Sequence, residues 1–396
     1  MTEKITKDRY SSEYMDGDTL CISAGTPDRL SKQMLEKRVA EAFEKASCGC
    51  GRVVITDGFE SLKEQYNKYE NAFAVLSVEL GEGDALKSVK LPVRVFVKEV
   101  IFDHDLGSDC DDGGAAAMLI KAHRDGYCKA LAITSCVYNP FASYCIKIMC
   151  EYFGVDDIDI GINTERDILK SDAWWRCSYK PVQLYYTEKG REFPRLESNT
   201  SLLRRKLASS HGDVTLLSTG AVTDLLALFQ TGADEYSELD GCSLFRQKVG
   251  HYVCGGGKFP DGTSENNFLC DTEAADLVIN DYLKGFPISF VGAEVAGIVF
   301  SGSVMKQDKY KDYILRQIYE RWRPDDCNHN SWDLGVMHYS LFGVSSGYFT
   351  VKKGYTVRPY GTKGEMTLTE GGCHEYIVRA ADTDVLSDVF NSWIVP

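Results

Sequence analysis

Short apolar segments alternate with longer segments of helical character along most of the chain after Lys98. The short segments are "KEVIFD", "CKALAITSC", "DIDIGI", "DVTLLSTG", "KVGHYVCGGG" and "PISFVGAEV". Helical segments follow several of them, namely "GGAAAMLIKAHRDG", "FASYCIKIMCEYFG", "AVTDLLALFQ" and "DTEAADLVINDYL". Continuous apolar strands are buried on both faces, which is typical of parallel sheets. The pattern therefore predicts an α/β fold with a mostly parallel sheet and helices on both faces.

Residues 1–97 show a different arrangement. "SKQMLEKRVAEAFEKA" and "FESLKEQYNKYE" have the pattern of helices, and "RVVITD" and "AFAVLSVEL" have that of strands. This segment carries no chemical motif and does not repeat the later part of the chain. We therefore divide the chain into a small N-terminal α/β appendage of unknown role, residues 1–97, and a main domain, residues 98–396. Packing or homo-oligomerisation is the simplest expected use of the appendage.

Composition and charge exclude several classes of partner. No apolar run approaches the ~20 residues needed to span a bilayer, and the net charge of -14 argues against nonspecific binding of nucleic acid. The polar N-terminus lacks the apolar segment of a signal peptide. Most of the 14 cysteines lie in apolar stretches, as Cys145 and Cys150 do, and are expected to be reduced and buried. We expect a cytoplasmic protein that contacts neither membranes nor nucleic acids.

Five aspartates follow one another closely where the first strand of the main domain ends, in "VIFDHDLGSDCDDGG". Asp103 and Asp105 are two residues apart in a strand, so their side chains share one face. Asp109, Asp111 and Asp112 lie where the next helix begins, and a helix N-terminus stabilises carboxylates. Capping accounts for one or two of the five. The whole set therefore indicates a hard cation with oxygen ligands, calcium or magnesium, at the carboxyl edge of the sheet.

Two other acidic motifs are alternatives for this stretch. An EF-hand loop counted from Asp103 needs glycine at its sixth and glutamate at its twelfth position, where the sequence has Ser108 and Gly114. Haloacid dehalogenase-like phosphatases also begin with Asp-x-Asp at a strand end. Their motif usually continues with Gly-Thr, whereas Leu106 and Gly107 follow here, and a further Asp-x-Asp-Asp comes after them. The phosphatase motif is an alternative that leaves this second acidic group unexplained.

The stretch "DHDLGSDCDDGGAAAML" resembles the motif of the inosine–uridine preferring nucleoside hydrolase family, Asp-x-Asp-x-Gly-x-Asp-Asp followed by small residues. It is similar to a subset with the longer form Asp-x-Asp-x-Gly-x-Asp-x-Asp-Asp. In this register the final pair is Asp111–Asp112, and Asp109 is an additional carboxylate. Further blocks between residues 98 and 344 follow in the order of the family: "LAITSCVYN" with Asn139, "LLSTGAVTDLLAL", "YVCGGG" with "SENNFLCDTEAA", and "SWDLGVMHY".

The resemblance implies calcium-dependent hydrolysis of the N-glycosidic bond of ribonucleosides, giving free base and ribose, as in purine salvage. The implied calcium ligands are Asp105, Asp112, Asp333 and the backbone carbonyl of Thr219. Asp105 would also take the proton of a calcium-bound water, because a cation acidifies its water and a carboxylate can accept the proton. The residues implied to contact the small-molecule substrate are Asp111, Asn139, Glu265, Asn267 and Trp332.

The chain departs from the pattern of the family at several positions. Trp332 replaces a histidine that protonates the leaving base in pyrimidine-type members, and Ala221 and Asp224 alter the Thr-Gly-Pro-Leu-Thr-Asn-Leu block. Trp332 and the pair Trp174–Trp175 either stack on a base or simply pack. Two other functions stay open: a hydrolase of another N-ribosyl compound on the same scaffold, and a noncatalytic protein that binds nucleosides or calcium.

Three of the implied site residues have a simpler interpretation when each is considered alone. Asn267 is then a turn residue, Glu265 a solvated loop charge and Asp333 a residue in the first turn of a helix. Only the ordered set of blocks favours their place in a site.

Overall fold

The computed structural model describes residues 5–46, 51–82, 85–107, 109–164 and 177–396. The chain divides into two compact units. The first unit comprises Met1–Glu99, Ala122–Lys129 and Tyr339–Thr350. The second unit comprises Val100–Lys121, Ala130–His338 and Val351–Pro396.

Sixteen strands and thirteen α-helices are present in the described part of the chain. The strands are β1 (Glu13–Asp16), β2 (Thr19–Ala24), β3 (Arg52–Asp57), β4 (Asn71–Glu82), β5 (Ala85–Val97), β6 (Glu99–His104), β7 (Lys129–Ser135), β8 (Asp159–Ile162), β9 (Glu197–Ser198), β10 (Val214–Ser218), β11 (Val249–Gly255), β12 (Ile288–Val291), β13 (Phe300–Ser301), β14 (His329–Asn330), β15 (Phe349–Tyr360) and β16 (Glu365–Arg379). The helices are α1 (Lys32–Lys45), α2 (Phe59–Tyr69), α3 (Asp111–Arg124), α4 (Pro140–Phe153), α5 (Tyr179–Glu188), α6 (Asn199–Ser209), α7 (Thr223–Phe229), α8 (Gly241–Lys248), α9 (Asn266–Cys270), α10 (Thr272–Asp276), α11 (Ile314–Trp322), α12 (Trp332–Phe342) and α13 (Thr383–Trp393).

The first unit is built on a five-stranded sheet with the order β1-β2-β5-β4-β3. Helices α1 and α2 contribute Leu35, Val39 and Leu62 to the core beside this sheet. Helix α1 begins after Ser31, whose hydroxyl accepts the Met34 N–H as an N-cap. Both helices and both strands predicted for residues 1–97 are confirmed. Strands β1, β2 and β5 were not predicted, and β5 contains Pro92, which argues against a strand interior because proline lacks an N–H.

The second unit is built on a nine-stranded sheet with the order β15-β16-β12-β11-β10-β6-β7-β8-β9. Strand β10 pairs in parallel with β6 and β11, and β12 continues in parallel with β11 and β16. On the other side, β8 pairs in parallel with β7 and β9. Helices flank the sheet. The predicted α/β class with a mostly parallel sheet is therefore confirmed.

Several elements of the second unit were not predicted from the pattern. Most residues of strands β15 and β16 are exposed or only partly buried, so these long strands lack the continuous apolar run of a buried strand. Helices α5, α6, α8, α11 and α13 were also missed. The single helix predicted for "DTEAADLVINDYL" consists of α10 followed by a π-helical segment, Leu277–Tyr282. None of the helices in the described ranges is long and apolar enough to cross a membrane.

Three neighbouring strands end side by side and position the loops that follow them. In the sheet register, Asp103 of β6 lies opposite Ser218 of β10, and Ser218 lies opposite Cys254 of β11. The Thr219 N–H continues this pairing by donating to the carbonyl of Asp103 at 2.9 Å. Because carboxyl ends of parallel strands share one edge of a sheet, the loops that begin at residues 105, 219 and 256 lie at the same edge.

Candidate active site

The carboxylate of Asp112 accepts hydrogen bonds from the residues that follow β6 and β10. Its Oδ1 accepts the backbone N–H of Asp105 at 3.2 Å and the hydroxyl of Thr219 at 2.8 Å. Asp112 lies in the first turn of α3, where the helix dipole favours a negative charge. The chain passes close behind Asp105 at Gly220, where an added Cβ would lie 2.6 Å from the Asp105 Cβ. A glycine is therefore needed at this position for Asp105 to keep its place.

The neighbouring Asp111 joins the starts of two helices. Its Oδ2 accepts the backbone N–H of Asp333 at 3.0 Å. Asp111 is in the first turn of α3, and Asp333 is in the first turn of α12. The simpler interpretation of Asp333 as a first-turn residue is therefore correct for its backbone. Its side chain nevertheless belongs to the acidic cluster, because Asp333 is one of three carboxylates, with Asp109 and Asp112, that could hold one metal ion.

The carboxylates of this cluster are buried without enough hydrogen bonds to satisfy them. Burial raises the pKa values of Asp105, Asp111 and Asp333 well above the ordinary range, and their negative neighbours raise them further. Burial likewise raises the pKa of Asp112 to about 6, with Asp109 adding to the effect. Buried oxygens of Asp105, Asp111 and Asp112 have no hydrogen-bond partner. Such a group is unfavourable unless a cation neutralises it.

The donor set fits a hard divalent cation. One oxygen each of Asp109, Asp112 and Asp333 lies within 4.8 Å of the others. Oxygen donors of this kind are the preferred ligands of calcium and magnesium, and a bound cation would stabilise the ionised form of each carboxylate. The structure thus brings Asp112, Asp333 and Thr219 to one place, and it adds Asp109, which the motif had suggested only as an additional carboxylate.

Asn267, which lies in the segment after β11, contacts the end of β10. Its amide nitrogen donates to the carbonyl of Thr219 at 2.6 Å and to that of Gly255 at 2.8 Å. Asn267 lies within α9 rather than in a turn. Its amide nitrogen donates to the Thr219 carbonyl, which is predicted to bind the metal. A carbonyl oxygen has two lone pairs, so the Thr219 carbonyl can accept this hydrogen bond and also face a cation.

Glu265 lies beside this loop and is not a solvated charge. Its carboxylate accepts N–H groups of Asn267 and Phe268 as the N-cap of α9, and the N–H of Gly257 at 3.0 Å. Burial raises the pKa of Glu265, while these backbone donors act in the opposite direction. The contacts show a clear structural role for Glu265, and its predicted contact with ribose is a separate proposal.

Asn139 and Trp332, the two remaining residues predicted to contact the substrate, also make structural contacts. Asn139 is the N-cap of α4, accepts the N–H of Phe141 at 3.0 Å and donates to Ser178. Trp332 is partly buried at the start of α12, and its indole nitrogen lies so close to Gly297 that an added Cβ would come within 2.4 Å. The pair Trp174–Trp175 lies outside the described residues.

Sequence patterns did not single out His329, which precedes α12 in β14. Its Nε2 is 3.5 Å from Oδ2 of Asp109, and with Asp109 and Asp111 it forms another group of closely spaced polar atoms. His329 stands three residues before Trp332, in "NHNSWDLG". A lone histidine there gives no sequence signal, because its partners lie more than two hundred positions earlier in the chain.

A second group that the sequence did not reveal lies beneath the acidic cluster. Thr134 donates to Oδ1 of Asp103 at 2.8 Å, and Asn199 donates to Asp224 at 2.6 Å. Burial raises the pKa of Asp103 to about 7, although a hydrogen bond with Asp224 lowers it. Asp103 and Asp224 are both buried, and the raised pKa of Asp103 favours the protonated form of its carboxyl group.

Comparison with known proteins places the chain in a family. The sequence model described as inosine-uridine preferring nucleoside hydrolase matches residues 100–344, which is more than half of the 396 residues. The chain belongs to this family. It is therefore a hydrolase that acts on N-glycosyl compounds, and the family is metal-dependent. The family predicted from the aspartate motif is confirmed, whereas the longer-motif subset stays a prediction. No curated protein sequence matches the chain.

Solved structures share the fold of the chain at low sequence identity. The inosine-uridine preferring nucleoside hydrolase from Bacillus anthracis is 20% identical with a TM-score of 0.57, over 75% of this chain and 99% of that one. The plant nucleoside hydrolase PpNRh1 is 19% identical with a TM-score of 0.55, over 75% and 98%. The type III effector protein XopQ, solved with adenosine diphosphate ribose, is 13% identical with a TM-score of 0.56, over 76% and 95%.

Proposed function

We propose that the protein hydrolyses the N-glycosidic bond of ribonucleosides in a calcium-dependent reaction that releases free base and ribose. The observation that carries this proposal is the group of buried carboxylates with unsatisfied oxygens at the carboxyl edge of the parallel sheet. A hydrolase of N-glycosyl compounds needs an activated water and a hold on the sugar, and this group offers both kinds of contact.

Each side chain near the cation has a distinct role in the proposed reaction. Asp105, Asp112 and Asp333, with the carbonyl of Thr219, would hold calcium, which acidifies a water and offers coordination to sugar hydroxyls. Asp105 accepts the proton of the attacking water. The water oxygen bonds to the anomeric carbon, and the base leaves with the electrons of the broken bond. Asp111 accepts a hydrogen bond from a ribose hydroxyl, since an ionised carboxylate is an acceptor only.

The base subsite has Trp332 where pyrimidine-type members of the family have a histidine. Trp332 cannot supply a proton as the histidine of pyrimidine-type members does, because an indole N–H is a donor that does not titrate in this range. Stacking of the departing base on Trp332 is the proposed contact, and Glu265, Asn267 and Asn139 are proposed to complete the substrate site. We further propose a small-molecule substrate, a place in purine salvage, and a cytoplasmic location.

A nucleoside panel tests the proposed function directly. Purified protein is incubated with purine and pyrimidine ribonucleosides and with adenosine diphosphate ribose, in calcium or in chelator, and free base and free ribose are measured. We expect equal amounts of base and ribose from ribonucleosides, with no reaction in chelator. Asp105→Asn should abolish turnover. Asp388→Asn, at an exposed position on α13, is the matched control and should not.

Other outcomes of the same experiment decide against the proposal. Release of free adenine only from adenosine diphosphate ribose would favour that larger substrate class. Calcium-dependent binding of nucleosides without any release of base would identify a noncatalytic binder.

A further inference from the structure

His329 is a buried imidazole that faces the acidic cluster. Its side chain is 5% exposed, and its ring lies edge-on to Trp322 and Trp332, with centroids 5.9 Å and 5.8 Å away. Two aromatic neighbours of this size restrict the orientation of the ring. The direction in which His329 presents its two nitrogens is therefore set by packing as well as by hydrogen bonds.

The contact with Arg323 determines which nitrogen of His329 carries the proton. The Arg323 Nε donates to Nδ1 at 3.4 Å. A guanidinium can only donate, so Nδ1 must be the acceptor, and in the neutral imidazole the hydrogen is then on Nε2. This tautomer leaves Nε2 with no lone pair for a metal ion.

The Nε2–H group is a buried donor that has no hydrogen-bond partner. The nearest carboxylate oxygen is that of Asp109 at 3.5 Å, which is too long for a hydrogen bond. Oδ1 of Asp111 is a buried acceptor without a partner, because only Oδ2 receives the N–H of Asp333. An unsatisfied donor and an unsatisfied acceptor therefore belong to two side chains of the same closely spaced group.

The spacing of these two groups suits a hydroxyl between them. One ring nitrogen of His329 and one carboxylate oxygen of Asp111 lie within 4.8 Å of each other. A hydroxyl that accepts one hydrogen bond and donates another, each about 2.8 Å long, holds its two partners about 4.6 Å apart. A hydroxyl is the group that needs a donor and an acceptor together.

We propose that His329 and Asp111 hold one hydroxyl of the ribose cis-diol between them, so that His329 makes the site selective for ribosides over deoxyribosides. The inference rests on the proposed function and names the sugar contact within it. The cis-diol is the expected part of the sugar because Asp111 is the chain neighbour of the predicted calcium ligand Asp112. A site built to bind a hydroxyl rejects the analogue that lacks it, since the buried polar groups then stay unpaired.

The test compares His329→Ala with the unaltered protein on a ribonucleoside and on its 2′-deoxy and 3′-deoxy analogues. Slow analogues are followed at high enzyme concentration in single turnovers. We expect kcat/KM for the ribonucleoside to fall by about tenfold or more. We expect no loss for whichever analogue lacks the hydroxyl that His329 holds. An equal loss on all three substrates would overturn the proposal.

Two further measurements separate this role from the alternatives. The loss should be the same for a nucleoside and for 4-nitrophenyl β-D-ribofuranoside, whose leaving group needs no proton. A loss confined to nucleosides would show that His329 acts on the base instead. Bound calcium per chain should not change, and a decrease would show that His329 is a metal ligand.

A conservative variant keeps the proposal testable if His329→Ala folds poorly. His329→Gln retains an N–H donor on a side chain of similar reach, so it should recover part of the rate on the ribonucleoside and part of the discrimination. A Gln variant no better than Ala in both respects would contradict the hydrogen bond. If the unaltered protein releases no base from any ribonucleoside, the proposed function itself fails, independently of this comparison.

Discussion

Asp111 and Asp112 are neighbours in the chain, yet their carboxylates have different partners. Asp112 accepts from the Thr219 hydroxyl and the Asp105 N–H, which directs it to the strand ends. Asp111 accepts from the Asp333 N–H and keeps one unsatisfied oxygen. Asp109 is less buried, with 24% of its side chain exposed. The three positions therefore should not be equivalent in function.

Substitution by asparagine should separate these three roles. Asp112→Asn should lose calcium affinity and turnover together, because a neutral amide replaces a charged ligand. Asp111→Asn should keep the metal but lower kcat by about tenfold, through a weaker hold on the sugar in the transition state. Asp109→Asn should keep most of the activity, because Asp109 is partly exposed and stands outside the proposed ligand set of Asp105, Asp112, Asp333 and Thr219. Turnover and bound calcium measured for each variant check this order, and an Asp109 variant that loses both would show that the motif register is wrong.

The raised pKa values of the carboxylates make stability depend on pH when the metal is removed. Burial raises the pKa of Asp103 to about 7 and that of Asp112 to about 6, whereas an unfolded aspartate titrates near 3.9. The folded chain holds these protons to higher pH than the unfolded chain. The free energy of unfolding of the metal-free protein should therefore decrease as the pH rises from about 4 to about 7.

Calcium should remove much of this dependence, because it binds the ionised carboxylates. At 100 times its Kd, a ligand that binds only the folded state adds about 2.7 kcal/mol to the free energy of unfolding. We expect the difference in unfolding midpoint between calcium and chelator to be larger near pH 8 than near pH 5. Asp112→Asn should show little difference at either pH. If chelator does not change the unfolding midpoint of the unaltered protein at any pH, the cation site is ruled out.

The turn that joins β10 to α7 contains Gly220, where the chain passes close to Asp105. At Gly220 an added Cβ would lie 2.6 Å from the Asp105 Cβ and 2.8 Å from the Cys136 sulfur. Gly220→Ala should push Asp105 out of place, so we expect turnover to fall by more than about tenfold while the chain stays folded. Gly232→Ala, where no atom lies within 4 Å, is the control and should leave turnover unchanged. Equal turnover in both variants would contradict the close approach.

At the level of the whole chain, the first unit is built from more than the N-terminal 97 residues. Lys98 donates to the carbonyls of Tyr10 and Leu341, and the Gly25 N–H donates to the carbonyl of Gly126 at 2.8 Å. All of these residues belong to that unit. The division into an appendage at 1–97 and a catalytic domain at 98–396 is therefore a proposal about folding that a truncated chain can test.

A chain that begins at Lys98 should still bind calcium, because every predicted ligand lies in the second unit. Its unfolding midpoint should be lower, because residues 122–129 and 339–350 lose their partners in the first unit. Calorimetry with and without calcium measures both effects. A truncated chain that is insoluble or metal-free would show that the first 97 residues and the main domain fold as one.

The pattern of apolar positions was enough to predict the parallel sheet, because a strand covered on both faces must be apolar along its whole length. The spacing of Asp103, Asp105, Asp111 and Asp112 likewise indicated a cation site, because a strand end followed by a helix start places such residues at one edge whatever surrounds them. Half-exposed elements such as β15 escaped prediction, since their polar residues resemble those of loops.

Only the tertiary structure decided what faces these aspartates. His329 and Asp333 reach the cluster because β14 and α12 lie beside the start of α3, an arrangement that depends on packing across the whole sheet. The same holds for Glu265, which taken alone is interpreted as a solvated loop charge. In the structure it is buried, and its carboxylate accepts three backbone N–H groups. Hydrogen-bond satisfaction and burial are properties of neighbours distant in the chain, so no local pattern records them.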